Sequence, residues 1–365
     1  MAISFKLLLK AYSKLAHRVG FVFALQDKME NLFKFTSSNL ESSLSSFKQR
    51  GITEFTLQDE AVLSHKGKLL HFLQVFQKEA GDVFLTLPVS ANVLDMDVCK
   101  ACAELYCTLE IPFSGLSKGG SYLFDKKFFS RRADMLNTLG LVFGFDMNFA
   151  CDAGDSVKAF RDRLDFALSL YPNHIDFPQL ELAGISDSAD KSSIKQPKPS
   201  ATFSTQDIKN CRETAFAVSS FYSYGRAVTW FLAVLAPLKM TPSKFFQDFA
   251  EWQKINNCSL ESGWKPETAK HAEIEKMQLS FLKFKYDEKN KPQLFDVVSN
   301  IVRLNGAFSR CFGEGEESKI ELGYNPEELL SGAAMDIQSF FDNSFIENST
   351  VKIFMGEDGV EWRYC

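Results

Sequence analysis

The amino-acid sequence predicts an α/β protein built on parallel strands, and three observations carry that expectation. Runs rich in Val, Ile, Phe and Thr begin at Gly20, Thr53, Val83, Cys107, Leu141 and His174, so successive starts lie 24 to 34 residues apart. That is the length of a strand plus a crossover helix. The runs are close to continuously apolar, as strands buried on both faces are, and the segments between them repeat apolar residues at helical spacing. Six consecutive βα units ending near Leu182 fit either a partial parallel barrel or a doubly wound open sheet. Periodicity does not choose between the two.

Each element has its own signal. Over residues 1–19, Lys6, Lys10, Lys14 and Arg18 are spaced through apolar positions, the pattern of an amphipathic helix. A signal peptide needs one unbroken apolar block and a small-residue cleavage site, so a cytoplasmic address is expected. The βα units occupy residues 20–182. Ser38 and Glu41 have the spacing of a capping box ahead of Leu40, Leu44 and Phe47. Lys68–Glu79 lines up Leu69, Phe72, Leu73 and Phe76, and the helix over Lys126–Leu139 stops at Gly140. Asp155 or Ser156 caps a further helix with Val157, Phe160, Leu164, Ala167, Leu168 and Tyr171 on its inner face. Arg161, Asp162, Arg163 and Asp165 populate much of the rest.

Residues 183–206 turn polar and read as a linker. A helical region is predicted over 207–340, its aromatic residues packing inward, with a new helix start at Thr241-Pro242 and an acidic loop at Glu314–Glu317. In the last segment, 341–365, Val351, Ile353 and Met355 alternate against Val360, Trp362 and Tyr364, which predicts a terminal β-hairpin.

Composition excludes several classes. A formal charge of −5 and a pI near 5.7 give no broad basic field for nucleic acid. The apolar stretch around Ala227–Leu238 is too short to span a bilayer. Most of the 36 phenylalanines are expected in the core. Eight cysteines in 365 residues do not make a disulfide scaffold. Their one cluster, Cys99-x2-Cys102-x4-Cys107, spans a predicted helix and the next strand, and reads as buried small hydrophobes. The five histidines show no metal-ligand spacing, so no metal site is expected.

The stretch Gly51-Ile-Thr-Glu-Phe-Thr-Leu-Gln-Asp-Glu60, the strand Cys107-Thr-Leu-Glu-Ile-Pro-Phe113, the run LFDKKFFSRRADMLNTLGLVFGFD from Leu123, and Gly154-Asp-Ser through Asn173-His-Ile-Asp176 together resemble the core of radical S-adenosylmethionine (SAM) proteins, particularly the cobalamin-binding type. Arg212–Trp252 resembles the helical region that follows the barrel in such proteins. The resemblance implies a (βα)6 partial TIM-like barrel with a C-terminal helical region and terminal hairpin. It also implies a [4Fe–4S] cluster on a Cys-x3-Cys-x2-Cys loop after the first strand, whose open iron position binds SAM. Residues 21–35, the equivalent stretch here, contain no cysteine, and thiolates are what hold such a cluster.

The expectation is therefore a radical-SAM-like partial barrel without its cluster ligands. It would bind a small molecule, SAM-like or nucleotide-like, or a protein partner at the C-terminal rim. The alternative is a degenerate or incomplete copy of a radical SAM/cobalamin-type methyltransferase or rearranging enzyme. A third reading is a scaffold whose rim is plugged by Phe side chains.

Candidate site residues follow from the rule that parallel barrels work at the C-terminal ends of their strands. Asp59 and Glu60 match a family position near the SAM amino group, and Asp59 is equally suited to cap a helix. Glu110 interrupts an apolar strand, where a carboxylate must be paired. It reads either as a base or ligand contact, or as a structural pair with Arg131, Arg132 or Lys118. Asp146 is its candidate acid–base partner. Ser90, Ser114 and Glu181 complete a ligand-binding rim. Ser117–Ser121 reads as a plain loop. His174 opens its strand and is assigned to the opposite, stability end of the barrel.

Overall fold

The computed structural model describes residues 40–49, 53–57, 59–118, 121–152, 154–181, 196–357 and 359–365. The predicted helix over 1–19, the strand from Gly20, the Ser38 cap and most of the linker lie outside these residues. Strands β1 (Glu54–Thr56), β2 (Phe84–Pro88) and β3 (Cys107–Pro112) are followed by a short antiparallel pair, β4 (Leu116–Lys118) and β5 (Ser121–Leu123), where a plain loop is predicted. β6 (Val142–Asp146) and β7 (His174–Asp176) come next. Five of the strands form one parallel sheet in the order β1-β2-β3-β6-β7. The class is α/β with a parallel sheet, and these five strands do not by themselves close a barrel.

The helices of this half are α1 (Leu40–Gln49), α2 (Glu60–Leu63), α3 (Lys66–Ala80), α4 (Met96–Ala103), α5 (Lys126–Thr138), α6 (Val157–Ser169) and α7 (Pro178–Glu181). Several begin at an oxygen-bearing side chain that accepts from orphan backbone N–H groups: Asp59, Asp95, Asp125 and Ser156. Gly140 takes the left-handed φ of 63° that ends α5 in the conformation glycine tolerates.

The two faces of the sheet differ in kind. Strand alternation sends Leu85, Leu87, Leu109, Ile111, Phe143, Phe145 and Ile175 to one face, all buried in the core. Phe145 meets Phe113 and α5's Phe129 there. The opposite face carries Glu54, Thr56, Thr86, Thr108, Glu110, Gly144, Asp146, His174 and Asp176, interspersed with Phe84, Pro88, Val142 and Pro112. Strands apolar on both faces are expected from the sequence; the structure replaces that with one apolar face and one face rich in polar residues.

Arg163 also departs from expectation. Assigned to the polar side of α6, it is buried and makes a two-pronged ion pair with Asp155 at 2.7 and 3.1 Å, with a third bond to the Asn148 carbonyl. Asp155 thus anchors α6 from within while Ser156 caps it.

The C-terminal region comprises α8 (Thr205–Val218), α9 (Phe231–Leu235), α10 (Pro242–Ile255), α11 (His271–Glu288), α12 (Phe295–Glu314), α13 (Pro326–Leu329) and α14 (Ile337–Asn343). α8 starts two residues before the predicted boundary because Ser204 and Asp207 form a capping box. Phe221, Phe231, Phe245, Phe246, Phe249 and Phe281 cluster in this region, Phe221 edge to face with four of the others and Phe231 stacked on Phe246, arrangements that add to simple burial.

β9 (Ser349–Met355) and β10 (Val360–Tyr364) pair antiparallel, and β8 (Ser318–Leu322) joins them in a three-stranded sheet. The sequence reading passes over β8 because its alternation follows directly on an acidic loop. Among the described residues no helix is long and apolar enough to cross a membrane.

The two halves meet at β7. The turn of π-helix over Ser219–Ser223 lies beside that strand. The Ser223 hydroxyl accepts from the Ile175 N–H at 3.1 Å and donates to the Ile175 carbonyl at 3.0 Å, doing with one side chain what a neighbouring strand does with backbone. Buried Tyr222 donates to the Pro172 carbonyl at 2.7 Å, and Asp165 of α6 accepts from the Ser243 N–H and hydroxyl of α10.

Candidate functional site

The polar face of the sheet concentrates its chemistry on β3, β6 and β7. Register aligns Glu110, Gly144 and His174 across the three strands, and Pro112, Asp146 and Asp176 one step further along. All lie on the same face by strand alternation. His174 Nε2 sits 2.9 Å from Glu110 Oε2 and 3.5 Å from Asp176 Oδ2. Glu110 and His174 are 9% and 4% exposed.

Gly144 makes this possible. A Cβ at that position would lie 1.5 Å from His174 Nε2, so the imidazole occupies the space a side chain on β6 would fill. It reaches over the whole strand to Glu110. The expectation for His174 is corrected: it opens β7, but the stagger of strands in a twisted parallel sheet brings that first residue level with the fourth of β3. Ordering strand starts in the sequence does not reveal this stagger. The available signals are the His-x-Asp spacing, which sets two ligand-type side chains on one face, and the lone glycine in β6.

The sequence-predicted residues divide. Glu110 is in the group and is bonded to His174, a partner the sequence reading does not name; of the predicted arginines, Arg132 Nε donates to the Ala91 carbonyl. Asp146 is on the same face, level with Asp176, one step past Glu110. Asp59 caps α2, accepting from the Ala61 and Val62 N–H groups, and Glu60 is exposed in that helix's first turn. Ser90 is exposed and accepts from the Asn92 N–H. Ser114 is exposed just past β3, and Glu181 ends α7. These five flank the strand ends and are not drawn into the Glu110–His174–Asp176 group. An open groove of about 420 Å³ lined by Ser130, Arg131, Asp134, Asn137 and Tyr171 belongs to the outer helices, away from this face.

Two further groups share the floor. Thr108, two residues before Glu110, is fully buried, and its hydroxyl has no hydrogen-bond partner among the described residues. On β1, burial pushes the Glu54 carboxyl up to about 7. Among the strand residues of this face the charged types are four carboxylates and one imidazole.

The thiols do not fit an iron–sulfur cluster. Burial pushes Cys99 up to about 11. The hydrogen bond with Cys107, and then burial, hold Cys102 well above the ordinary thiol range. Cys107 Sγ donates to the Cys102 carbonyl. A cluster needs converging thiolates, and the surroundings of Cys99 and Cys102 disfavour the thiolate.

No family model and no curated protein matches this chain. Among solved structures, similar chains include two of the radical S-adenosylmethionine methyltransferase TsrM from Kitasatospora setae. One has cobalamin and a [4Fe–4S] cluster bound, the other tryptophan substrate and the SAM analogue aza-SAM. Identity is 12% and 15%, and the TM-score is 0.31 for both. The match covers 37% of this chain and 29% and 28% of those chains. This chain therefore matches less than a third of their length.

Proposed function

We propose that this protein binds a small polar molecule of nucleoside type, SAM among them, on the polar face of its parallel sheet at the C-terminal ends of β3, β6 and β7. The observation that carries the reading is the Glu110–His174–Asp176 group, whose imidazole lies over Gly144. A sheet face facing only a core would be apolar. A buried carboxylate, Glu110, and a buried hydroxyl, Thr108, are costly there unless they are paired or bind something. Carboxylates accept hydrogen bonds from ribose hydroxyls and from amines, and four of them on one face oppose phosphates.

The test is calorimetric titration of the purified chain, in buffer containing EDTA, with SAM, adenosine and ATP. SAM or adenosine is expected to bind, ATP more weakly, and Glu110→Gln to weaken binding by at least about tenfold, as loss of a charge-assisted hydrogen bond does. No binding of any of the three, or binding untouched by Glu110→Gln, sinks the reading.

A further inference from the structure

We infer that Glu110, His174 and Asp176 form a binding site for one divalent first-row transition-metal ion. The inference deepens the reading just given, and rests on it in taking this face of the sheet as a ligand site. The geometry supports it directly. One ligand atom from each residue lies within 4.8 Å of the other two. The two separations from His174 Nε2 are 2.9 Å to Glu110 and 3.5 Å to Asp176; the second matches, and the first falls a little short of, the ligand-to-ligand edge of about 3.3–3.6 Å that tetrahedral coordination at ~2.0–2.2 Å requires.

Charge argues the same way. Two carboxylate oxygens converge on one ring nitrogen, which can give a hydrogen to only one of them at a time. A divalent cation can take a lone pair from all three atoms at once. The donor set, one imidazole nitrogen and two carboxylate oxygens, suits Zn²⁺, Mn²⁺, Fe²⁺ or Co²⁺ better than Mg²⁺, which prefers an all-oxygen octahedron. Three protein ligands leave a position open, the arrangement of reactive rather than purely structural sites.

Two observations independent of the carboxylates point to the same place. Gly144 has no side chain where the imidazole lies, and any Cβ there would overlap Nε2. The Thr108 hydroxyl, wholly buried and without a hydrogen-bond partner among the described residues, lies on the same face two residues before Glu110.

The experiment loads the metal-stripped full chain with Co²⁺, Zn²⁺ or Mg²⁺ with no organic ligand present. It reads bound metal by equilibrium dialysis and elemental analysis, and the Co²⁺ site by its visible d–d absorption. One equivalent of Co²⁺ or Zn²⁺, preferred over Mg²⁺, is the expected result. Affinity should drop at least about 100-fold in His174→Ala, more than outer-shell changes typically cost. Glu110→Gln and Asp176→Asn preserve shape and keep the test valid should His174→Ala not fold. Binding unaffected by Glu110→Gln and Asp176→Asn marks an adventitious ion and overturns the inference, as does a preference for Mg²⁺ or no binding. If no ion binds while SAM or adenosine still does in EDTA, the metal site alone is overturned. If neither ion nor nucleoside binds, both readings fall.

Discussion

His174 on β7 and Glu110 on β3 stand 2.9 Å apart with all of β6 between them. Only a glycine at position 144 permits that contact, since a Cβ there would come 1.5 Å from the imidazole nitrogen. Gly144→Ala is therefore expected to expel the ring from its place, destabilising the protein by about 1–3 kcal/mol, as overpacking of a filled interior does. It should also abolish ligand and metal binding together. Urea unfolding and the titrations above check this. A Gly144→Ala protein as stable as the wild type, with binding intact, would show that the ring does not depend on the glycine.

Ser223 serves as the neighbour of β7 at Ile175, whose backbone is buried. Ser223→Ala leaves that N–H and carbonyl without the hydroxyl's two bonds, an expected loss of about 1–3 kcal/mol. The Ile175 amide should also exchange its hydrogen much faster. Unchanged exchange at Ile175 would mean that other contacts hold this part of β7.

His271 offers a pH test away from the candidate site. Burial first, then the nearby charges of Arg226 and Arg310, hold its ring well below the ordinary value of 6.5. Arg310 Nη1 donates to Nδ1 at 3.3 Å, and arginine has no acceptor, so the ring is neutral with its proton on Nε2, facing the Gly225 carbonyl. The unfolded ring titrates near 6.5, so below that pH the unfolded chain takes up a proton the folded chain refuses. Stability then falls as pH falls, at up to about 1.4 kcal/mol per pH unit.

Glu275, bonded to Arg310 at 2.6 Å, is shifted in the other sense by burial. Its contribution is lost as pH rises above 4.5, which opposes the trend of His271 in wild-type curves. The difference between wild type and His271→Gln isolates the histidine. The stability gap between pH 7.5 and 5.5 should be about 1 kcal/mol larger in wild type, measured by denaturant unfolding. Equal gaps would mean that the ring titrates alike in the folded and unfolded chain.

The sequence by itself determined the α/β class and the position of five strands, because a strand-plus-helix repeat leaves its period in the order of apolar residues. It marked helix ends through Ser156 and Gly140, whose effects are local. The terminal hairpin was also legible, since alternation and a turn need no distant partner. The strand β8 was not, because Ile320 and Leu322 gain meaning only once β9 lies beside them.

The site followed the same division. Glu110 stood out, since a carboxylate inside an apolar strand is costly wherever the strand goes. Its partner could not be read, because register between parallel strands depends on the stagger of the whole sheet. Asp59 carried two readings in sequence, and the structure makes it a helix cap. Only the tertiary structure lays His174 across Gly144 onto Glu110 and Asp176. Contacts that skip an entire strand depend on which side chain is missing from the strand between.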